Sequence, residues 1–229
     1  MRTVFLDAGG VLVFPNWSRV ADALAGRGVT VDPRVLAAAE PRAKRRLDTA
    51  GIIEASDDAK RGWLYFNLIL EEAGVQLTAD TDAALADLRE YHARENLWEL
   101  VPSDVVPTLE RLRAAGLRLV VVSNANGRLR HLFDRLALTP HVDVLFDSFE
   151  EGVEKPDPRL FEIALARSGA ARETTVHVGD LYHVDVVGAR AAGLQAVLLD
   201  VGRLYEGFDC LRIHALTELC DLHLRLFRD

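Results

Sequence analysis

The chain has 229 residues, of which 49% are hydrophobic and 27% are charged, and its formal net charge is -8. This composition is typical of a globular protein with one large domain, or with a core domain and a smaller insert, and the acidic balance argues against general nucleic-acid binding. No apolar run reaches the ~20 residues that cross a bilayer, and no secretory leader is recognised. The two cysteines indicate neither disulfides nor a metal cluster. The sequence therefore predicts a cytoplasmic protein without membrane partners.

The first predicted element is a short buried strand, Thr3–Leu6, within the sequence RTVFLDAGGVL. Asp7 follows the strand directly, so its carboxylate is expected at the carboxyl edge of a sheet, where open α/β sheets bind ligands. Gly9 and Gly10 come next, and they allow a tight turn and a close approach of the backbone to a ligand. This segment is the first candidate part of a functional site.

A helical segment is predicted to follow. Between residues 17 and 96, apolar residues recur at helical spacing and no strand pattern is found. Breaks are expected at residues 28–33, 51–56 and 74–81, which gives about four helices, with Asp32-Pro33 and Ser56 as predicted helix starts. The sequence therefore predicts an all-helical insert at residues 15–97 in a core domain formed by residues 1–14 and 98–229.

The remainder of the chain alternates between strand and helix patterns. This alternation predicts a doubly wound, mostly parallel α/β sheet with helices on both faces. The predicted strands cover residues 117–122, 142–146, 175–178, 196–199 and 211–213, and the predicted helices cover residues 103–115, 127–136, 158–168, 184–192 and 217–227.

Polar residues stand where several of these strands end. They are Asp7 after the first strand, Ser123 and Asn124 after residues 117–122, and Asp180, with Asp185 close behind, after residues 175–178. Lys155 lies in a loop that enters the helix at 158–168. Because parallel strands point the same way, these groups are expected to meet at one edge of the sheet. His177, inside a predicted buried strand, is expected to be a hydrogen-bonded core residue.

Four of these segments resemble motifs of the haloacid dehalogenase-like (HAD) superfamily, most of whose members are magnesium-dependent phosphohydrolases. In chain order they read FLDAGGVL, VVVSN, EKPDP and VGDLYHVDVVGARAAG. The resemblance covers residues 1–14 and 100–229. The helical insert lies where that family places its type 1 cap domain. The resemblance implies a small phosphorylated metabolite as substrate and a monomer or homodimer.

The resemblance also implies roles for individual residues. Asp7 would be the nucleophile that forms an aspartyl-phosphate, and Lys155 would hold Asp7 and the phosphoryl oxygens. The phosphoryl group would also be bound by Ser123, Gly10 and the backbone N–H of Asn124. The Mg²⁺ ion would be bound by Asp7, the carbonyl of Gly9, Asp180 and Asp185. Asp185 would either bind the ion or orient one of its waters.

Gly9 departs from the family pattern. The phosphatases carry a second Asp at this position, which protonates the leaving group, and a positioned acid of this kind contributes about 10²–10⁴-fold. The sequence therefore leaves three functions open. They are a phosphohydrolase that is slow or takes its acid/base from the helical insert, a catalytically weak binding or regulatory protein, and different HAD chemistry, meaning dehalogenation or phosphonate cleavage. Phosphonate cleavage would need a cap lysine, either Lys44 or Lys60. Lys44 lies in the basic run Arg42 to Arg46, which is expected to be a solvated helix face.

Overall fold

A parallel sheet of short apolar strands forms the centre of the structure. The computed structural model describes residues 2–226. The six strands within that range are β1 (Thr3–Leu6), β2 (Arg118–Ser123), β3 (Val144–Asp147), β4 (Thr175–Gly179), β5 (Gln195–Leu199) and β6 (Leu211–Ile213). They are all parallel, in the order β3-β2-β1-β4-β5-β6. The predicted α/β fold with a parallel sheet is confirmed.

The β1 strand lies between β2 and β4 near the middle of this sheet. Leu6 is in register with Val121 of β2 and with Val178 of β4. Val4, Phe5 and Leu6 are completely buried, and because successive side chains of a strand point to opposite faces, both faces of β1 are covered. The residues that follow these three strands are therefore brought to one edge.

The chain divides into two compact units. The first combines the segment up to Phe14 with the chain from Val101 onward, and the second is Pro15–Leu100. The second unit is all-helical over its described elements, which are α1 (Trp17–Ala25), α2 (Pro33–Leu47), α3 (Ala50–Ala55), α4 (Asp58–Glu72) and α5 (Ala79–Glu95). Its core is built from buried residues that include Leu24, Leu36, Phe66 and Ile69.

The helical unit differs from the prediction at two points. Asp32 caps α2 and Pro33 opens it, as predicted, but residues 51–56 were expected to be a break and instead belong mostly to α3. Ser56 ends α3, and α4 is capped by the side chain of Asp57, which accepts a hydrogen bond from Lys60 N–H at 2.8 Å. The unit therefore has five helices where about four were predicted, because a six-residue helix is too short to give a clear periodic pattern.

The basic run in α2 is paired with acidic residues. Arg42 and Arg46 donate to Glu72, and Arg46 also donates to Glu71 at 2.8 Å. The ammonium of Lys44 lies 2.7 Å from the Glu40 carboxylate. The run is thus a charged helix face whose cations are balanced within the same unit.

The helices of the first unit are α6 (Val105–Ala114), α7 (Leu129–Arg135), α8 (Ser148–Glu151), α9 (Pro158–Ser168), α10 (Val187–Ala191) and α11 (Leu219–Leu226). The short α8 was not predicted. The first residues of the predicted helix at 184–192 belong to a π-helical turn, Tyr182–Val186, and only Val187–Ala191 is α-helical. The predicted helix at 217–227 begins with a 3₁₀ turn, Leu216–Glu218. Its last residue, Phe227, lies outside the described residues. None of the helices within residues 2–226 has the length and apolar character needed to cross a membrane.

Candidate active site

Three hydrogen-bond donors converge on one oxygen of Asp7, directly after β1. Asp7 Oδ1 accepts hydrogen bonds from the Ser123 hydroxyl at 2.7 Å and from the backbone N–H of Ala8 at 2.7 Å. The ammonium of Lys155 lies 3.0 Å from the same oxygen. Within the described residues, Oδ2 accepts no hydrogen bond. The carboxylate is therefore fixed through Oδ1 while Oδ2 remains available for a ligand or for chemistry.

Lys155 is completely buried and lies between two carboxylates. Its Nζ is 3.0 Å from Asp7 Oδ1 and 2.7 Å from Asp185 Oδ1. Burial alone would lower the pKa of Lys155, but the carboxylates of Asp185 and Asp7 raise it well above its usual range. The side chain is therefore a permanent cation at the edge of the sheet.

Asn124 holds the backbone of Lys155 with both ends of its side-chain amide. Oδ1 accepts from Lys155 N–H at 2.7 Å, and Nδ2 donates to the Lys155 carbonyl at 3.0 Å. The sequence assigned Asn124 a phosphoryl contact through its backbone N–H, and that contact stays a prediction. The side chain links the end of β2 to the loop that carries the lysine.

Both oxygens of Asp185 are occupied. Oδ1 lies 2.7 Å from Lys155 Nζ and 3.0 Å from His177 Nε2, whereas Oδ2 accepts from the backbone N–H groups of Asp180, at 3.2 Å, and Leu181, at 3.0 Å. Burial would raise the pKa of Asp185, but Lys155 and the hydrogen bond from His177 hold it well below its usual range. Asp185 is thus an ionised anchor for Lys155 and for the turn that presents Asp180.

Gly179, the last residue of β4, lets the Asp185 carboxyl group lie against the backbone. A Cβ at this position would overlap the Asp185 side chain. We expect Gly179→Ala to reduce the free energy of unfolding by about 1–3 kcal/mol or more, because a buried ion pair would have to move, and to impair the site with it. Chemical denaturation measures the loss.

The matched control for this substitution is Gly62→Ala in α4. Nothing lies within 4 Å of a Cβ at Gly62, and alanine is the better helix former, so a gain of about 0.5–1 kcal/mol is expected. Equal effects of the two substitutions would contradict the close approach at Gly179.

Three carboxylates form a cluster beside the lysine. One oxygen from each of Asp7, Asp180 and Asp185 lies within 4.8 Å of the others. Burial raises the pKa of Asp7 to about 7, Lys155 opposes that rise, and the charges of Asp185 and Asp180 add to it. One ammonium therefore does not balance the three acids, and an all-oxygen donor set with excess negative charge fits a hard divalent cation such as Mg²⁺.

The two glycines after Asp7 have different environments. Gly10 has a φ of 76° and its N–H donates to the Val13 carbonyl at 2.8 Å, so that N–H is already used within the turn and does not support the predicted phosphate contact. Gly9 is partly exposed and is not among the glycines with positive φ. A side chain at Gly9 would therefore not meet the strain that a positive φ imposes at Gly10.

Sequence reasoning identified the residues that meet at this edge but missed two of the contacts that hold them. Asp7, Ser123, Lys155, Asp180 and Asp185 are brought together. His177 is the hydrogen-bonded core residue that was predicted, but its partner, Asp185, was not anticipated, and neither was the amide clamp of Asn124. The only sequence signal for the first is a histidine inside an otherwise apolar strand.

Known proteins resemble this chain in both sequence and fold. A family model described as haloacid dehalogenase-like hydrolase matches residues 1–193. The human haloacid dehalogenase-like hydrolase domain-containing protein 3 is 40% identical over 143 residues, 61% of this chain and 56% of that protein. A phosphoserine phosphatase of Thermus thermophilus is 37% identical over 138 residues, 60% of this chain and 53% of that enzyme. The chain thus spans about half the length of these curated relatives.

Among solved structures, a 2-haloacid dehalogenase of Pseudomonas syringae aligns over 99% of this chain and 100% of its own, with a TM-score of 0.61 and 25% identity. The similarity therefore extends through both units of the chain.

Proposed function

The chain belongs to the haloacid dehalogenase-like hydrolases, and from this membership and its site we infer that it is a magnesium-dependent phosphohydrolase acting on a small phosphorylated metabolite. The observation that carries this inference is the Asp7 carboxylate, held through Oδ1 by Ser123 and Lys155 with Oδ2 open. The Thermus thermophilus relative named as a phosphoserine phosphatase supports a phosphate ester as the substrate class.

In the proposed reaction, Oδ2 of Asp7 attacks the phosphorus atom. The bond from phosphorus to the leaving oxygen breaks, an aspartyl-phosphate forms on Asp7, and water then cleaves that acyl phosphate to release inorganic phosphate. A dianionic phosphate repels an attacking carboxylate, so positive charge is required nearby. The buried ammonium of Lys155, 3.0 Å from Asp7, supplies part of it.

The carboxylates of Asp7 and Asp180 and the Gly9 carbonyl would hold the Mg²⁺ ion. When bound, the ion would supply the remaining positive charge against the phosphoryl oxygens. Since both oxygens of Asp185 already accept hydrogen bonds, we assign Asp185 the orienting role and not that of a direct ligand.

Because of Gly9, the rate of the proposed reaction is expected to depend on how readily the leaving group departs without a proton. This glycine has no side chain to protonate the departing oxygen or to activate the water, and such a group contributes about 10²–10⁴-fold. With Mg²⁺, an aryl phosphate, whose leaving group needs little protonation, is expected to give a stoichiometric burst of phenol followed by slow turnover. Alkyl phosphates are expected to react slowly throughout. Rapid-quench kinetics measures both phases, and fast steady turnover of both classes would contradict the proposal.

The companion variant for this test is Gly9→Asp. Gly9 lacks the positive φ that disfavours a side chain, and the added carboxyl group is expected to raise steady turnover of an alkyl phosphate by about 10²–10⁴-fold. A variant with unchanged rate and an unchanged melting temperature would instead favour a binding or regulatory role for the site.

Binding of Mg²⁺ is expected to release protons when the pH is below the pKa of Asp7 and hardly any when the pH is above it. Since burial raises the pKa of Asp7 to about 7, the carboxyl group is mostly protonated below that pH and must ionise to hold the ion. Calorimetry in buffers of different ionisation enthalpy should show about one proton released per ion near pH 6 and few near pH 8. Asp7→Asn is expected to release none, and a wild-type release that does not vary with pH would contradict the assignment.

Carbon–halogen cleavage is the second candidate, because halide leaves without a proton and so needs no acid at Gly9. The structural similarity to a 2-haloacid dehalogenase supports testing it with a free-halide assay on a 2-halo acid. Phosphonate cleavage through a lysine imine has less support. Both cap lysines are ion-paired, Lys44 with Glu40 at 2.7 Å and Lys60 with Asp57 at 3.0 Å.

A further inference from the structure

His177 is a fully buried polar side chain in the centre of the sheet. It lies in β4 in register with Phe5 of β1, and none of its surface is exposed. Its ring packs edge-on against Phe161 with 4.8 Å between the ring centroids. A buried imidazole is costly unless it is hydrogen-bonded, so its contacts require an explanation beyond packing.

The hydrogen bonds of His177 point to one tautomer. Nε2 lies 3.0 Å from Oδ1 of the Asp185 carboxylate, which can only accept. Nδ1 is buried, and within residues 2–226 it makes no hydrogen bond of normal geometry. A proton on Nε2 satisfies the carboxylate and leaves a bare lone pair, rather than an unpaired N–H, at Nδ1. Burial also lowers the pKa of His177, which agrees with a neutral ring.

His177 and Lys155 both contact Oδ1 of Asp185. Lys155 Nζ is 2.7 Å from that oxygen and 3.0 Å from Asp7 Oδ1. The other Asp185 oxygen holds the backbone N–H of Asp180. The orientation of this one carboxylate therefore fixes both the ammonium against Asp7 and the turn that carries Asp180.

We propose that His177 is a positioning residue, whose Nε2–H orients the Asp185 carboxylate so that Lys155 is held on Asp7. The kinetic consequence rests on the proposed phosphohydrolase function, whereas the hydrogen bond itself does not. Losing a partner that orients a charged group of this kind typically costs about 10–100-fold in activity or metal affinity.

Two substitutions separate the hydrogen bond from the packing. His177→Gln keeps an N–H donor near the position of Nε2, while His177→Leu keeps an apolar side chain against Phe161 and removes the donor. With an aryl phosphate and Mg²⁺, His177→Leu is expected to lower kcat by about 10–100-fold at little changed KM, and His177→Gln to recover most of that loss. Melting temperatures are measured for both.

Two outcomes overturn the proposal. One is a folded His177→Leu protein with wild-type kcat, and the other is a folded His177→Gln protein as slow as the leucine variant. If either variant does not fold, the wild-type protein still decides the matter. Long-range ¹H–¹⁵N correlation spectra of histidine-labelled, metal-free protein are expected to show His177 protonated on Nε2, and protonation on Nδ1 alone refutes the assignment. Because these spectra need no turnover, a protein that hydrolyses no phosphate would defeat the proposed function and leave this inference standing.

Discussion

Replacing Asp7 by Asn is expected to reduce phosphate-ester turnover by on the order of 10⁴-fold or more. The amide oxygen is a poor nucleophile, and the side chain no longer carries the charge that pairs with Lys155 at 3.0 Å. Steady-state rates with an aryl phosphate and Mg²⁺ measure the loss. Acid quench and mass spectrometry should detect a phosphorylated Asp7 in the wild type and not in the variant.

Asp200→Asn provides the matched control for Asp7→Asn. Asp200 is also a buried carboxylate directly after a strand, but its oxygens accept from the backbone N–H groups of Leu204, at 2.8 Å, and Tyr205, at 3.1 Å. We expect this variant to lose about 1–3 kcal/mol of stability and to keep its turnover within a few-fold. An Asp7→Asn protein that is as active as this control would remove Asp7 from the chemistry.

Replacing Lys155 by Met is expected to lower the free energy of unfolding by about 3–5 kcal/mol near pH 8, besides abolishing turnover. The variant leaves Asp7 and Asp185 buried without the cation that lies 3.0 Å and 2.7 Å from them. Burial then raises the pKa of both carboxyl groups, so the penalty is present above those pKa values and is relieved as the pH falls through them. Urea unfolding near pH 8 and near pH 5 should show the difference from wild type shrinking in acid.

Lys60→Met is the control for the lysine substitution. Lys60 pairs with Asp57 at 3.0 Å, but its side chain is 72% exposed, and exposed ion pairs contribute about 0–1 kcal/mol. A Lys155→Met protein as stable as Lys60→Met would show that the buried carboxylates do not depend on the lysine.

The sheet and the edge of the site could be predicted because both follow from short-range sequence patterns. Thr3–Leu6 is apolar and ends at a carboxylate, and Ser123 and Asp180 stand at equivalent points of β2 and β4. Parallel pairing then brings these three side chains together without further information. Lys155, in a loop that enters a helix, and Asp185, close behind Asp180, were also expected at this edge, and the family resemblance implied their individual roles.

The remaining contacts depend on loop conformation and side-chain direction, which the sequence does not specify locally. The predicted phosphate contact of the Asn124 N–H stays a prediction, and what the sequence did not predict is that its side-chain amide hydrogen-bonds to the Lys155 backbone. Asp185 was predicted either to bind the ion or to orient one of its waters, and the π-helical turn Tyr182–Val186 places it where four donors meet. Neither result can be read from spacing, because each joins segments that only the folded chain brings together.

The central position of β1 has a consequence for how the protein is made. This strand leaves the ribosome before both of the strands that pair with it, which begin at Arg118 and Thr175. The helical unit Pro15–Leu100 lies between β1 and β2 in the chain, and because non-local strand pairing is slow it can form while β1 is still an unpaired apolar segment. The strand that precedes Asp7 is thus synthesised before its partners and paired late, and during that interval it is an unpaired apolar segment exposed to aggregation.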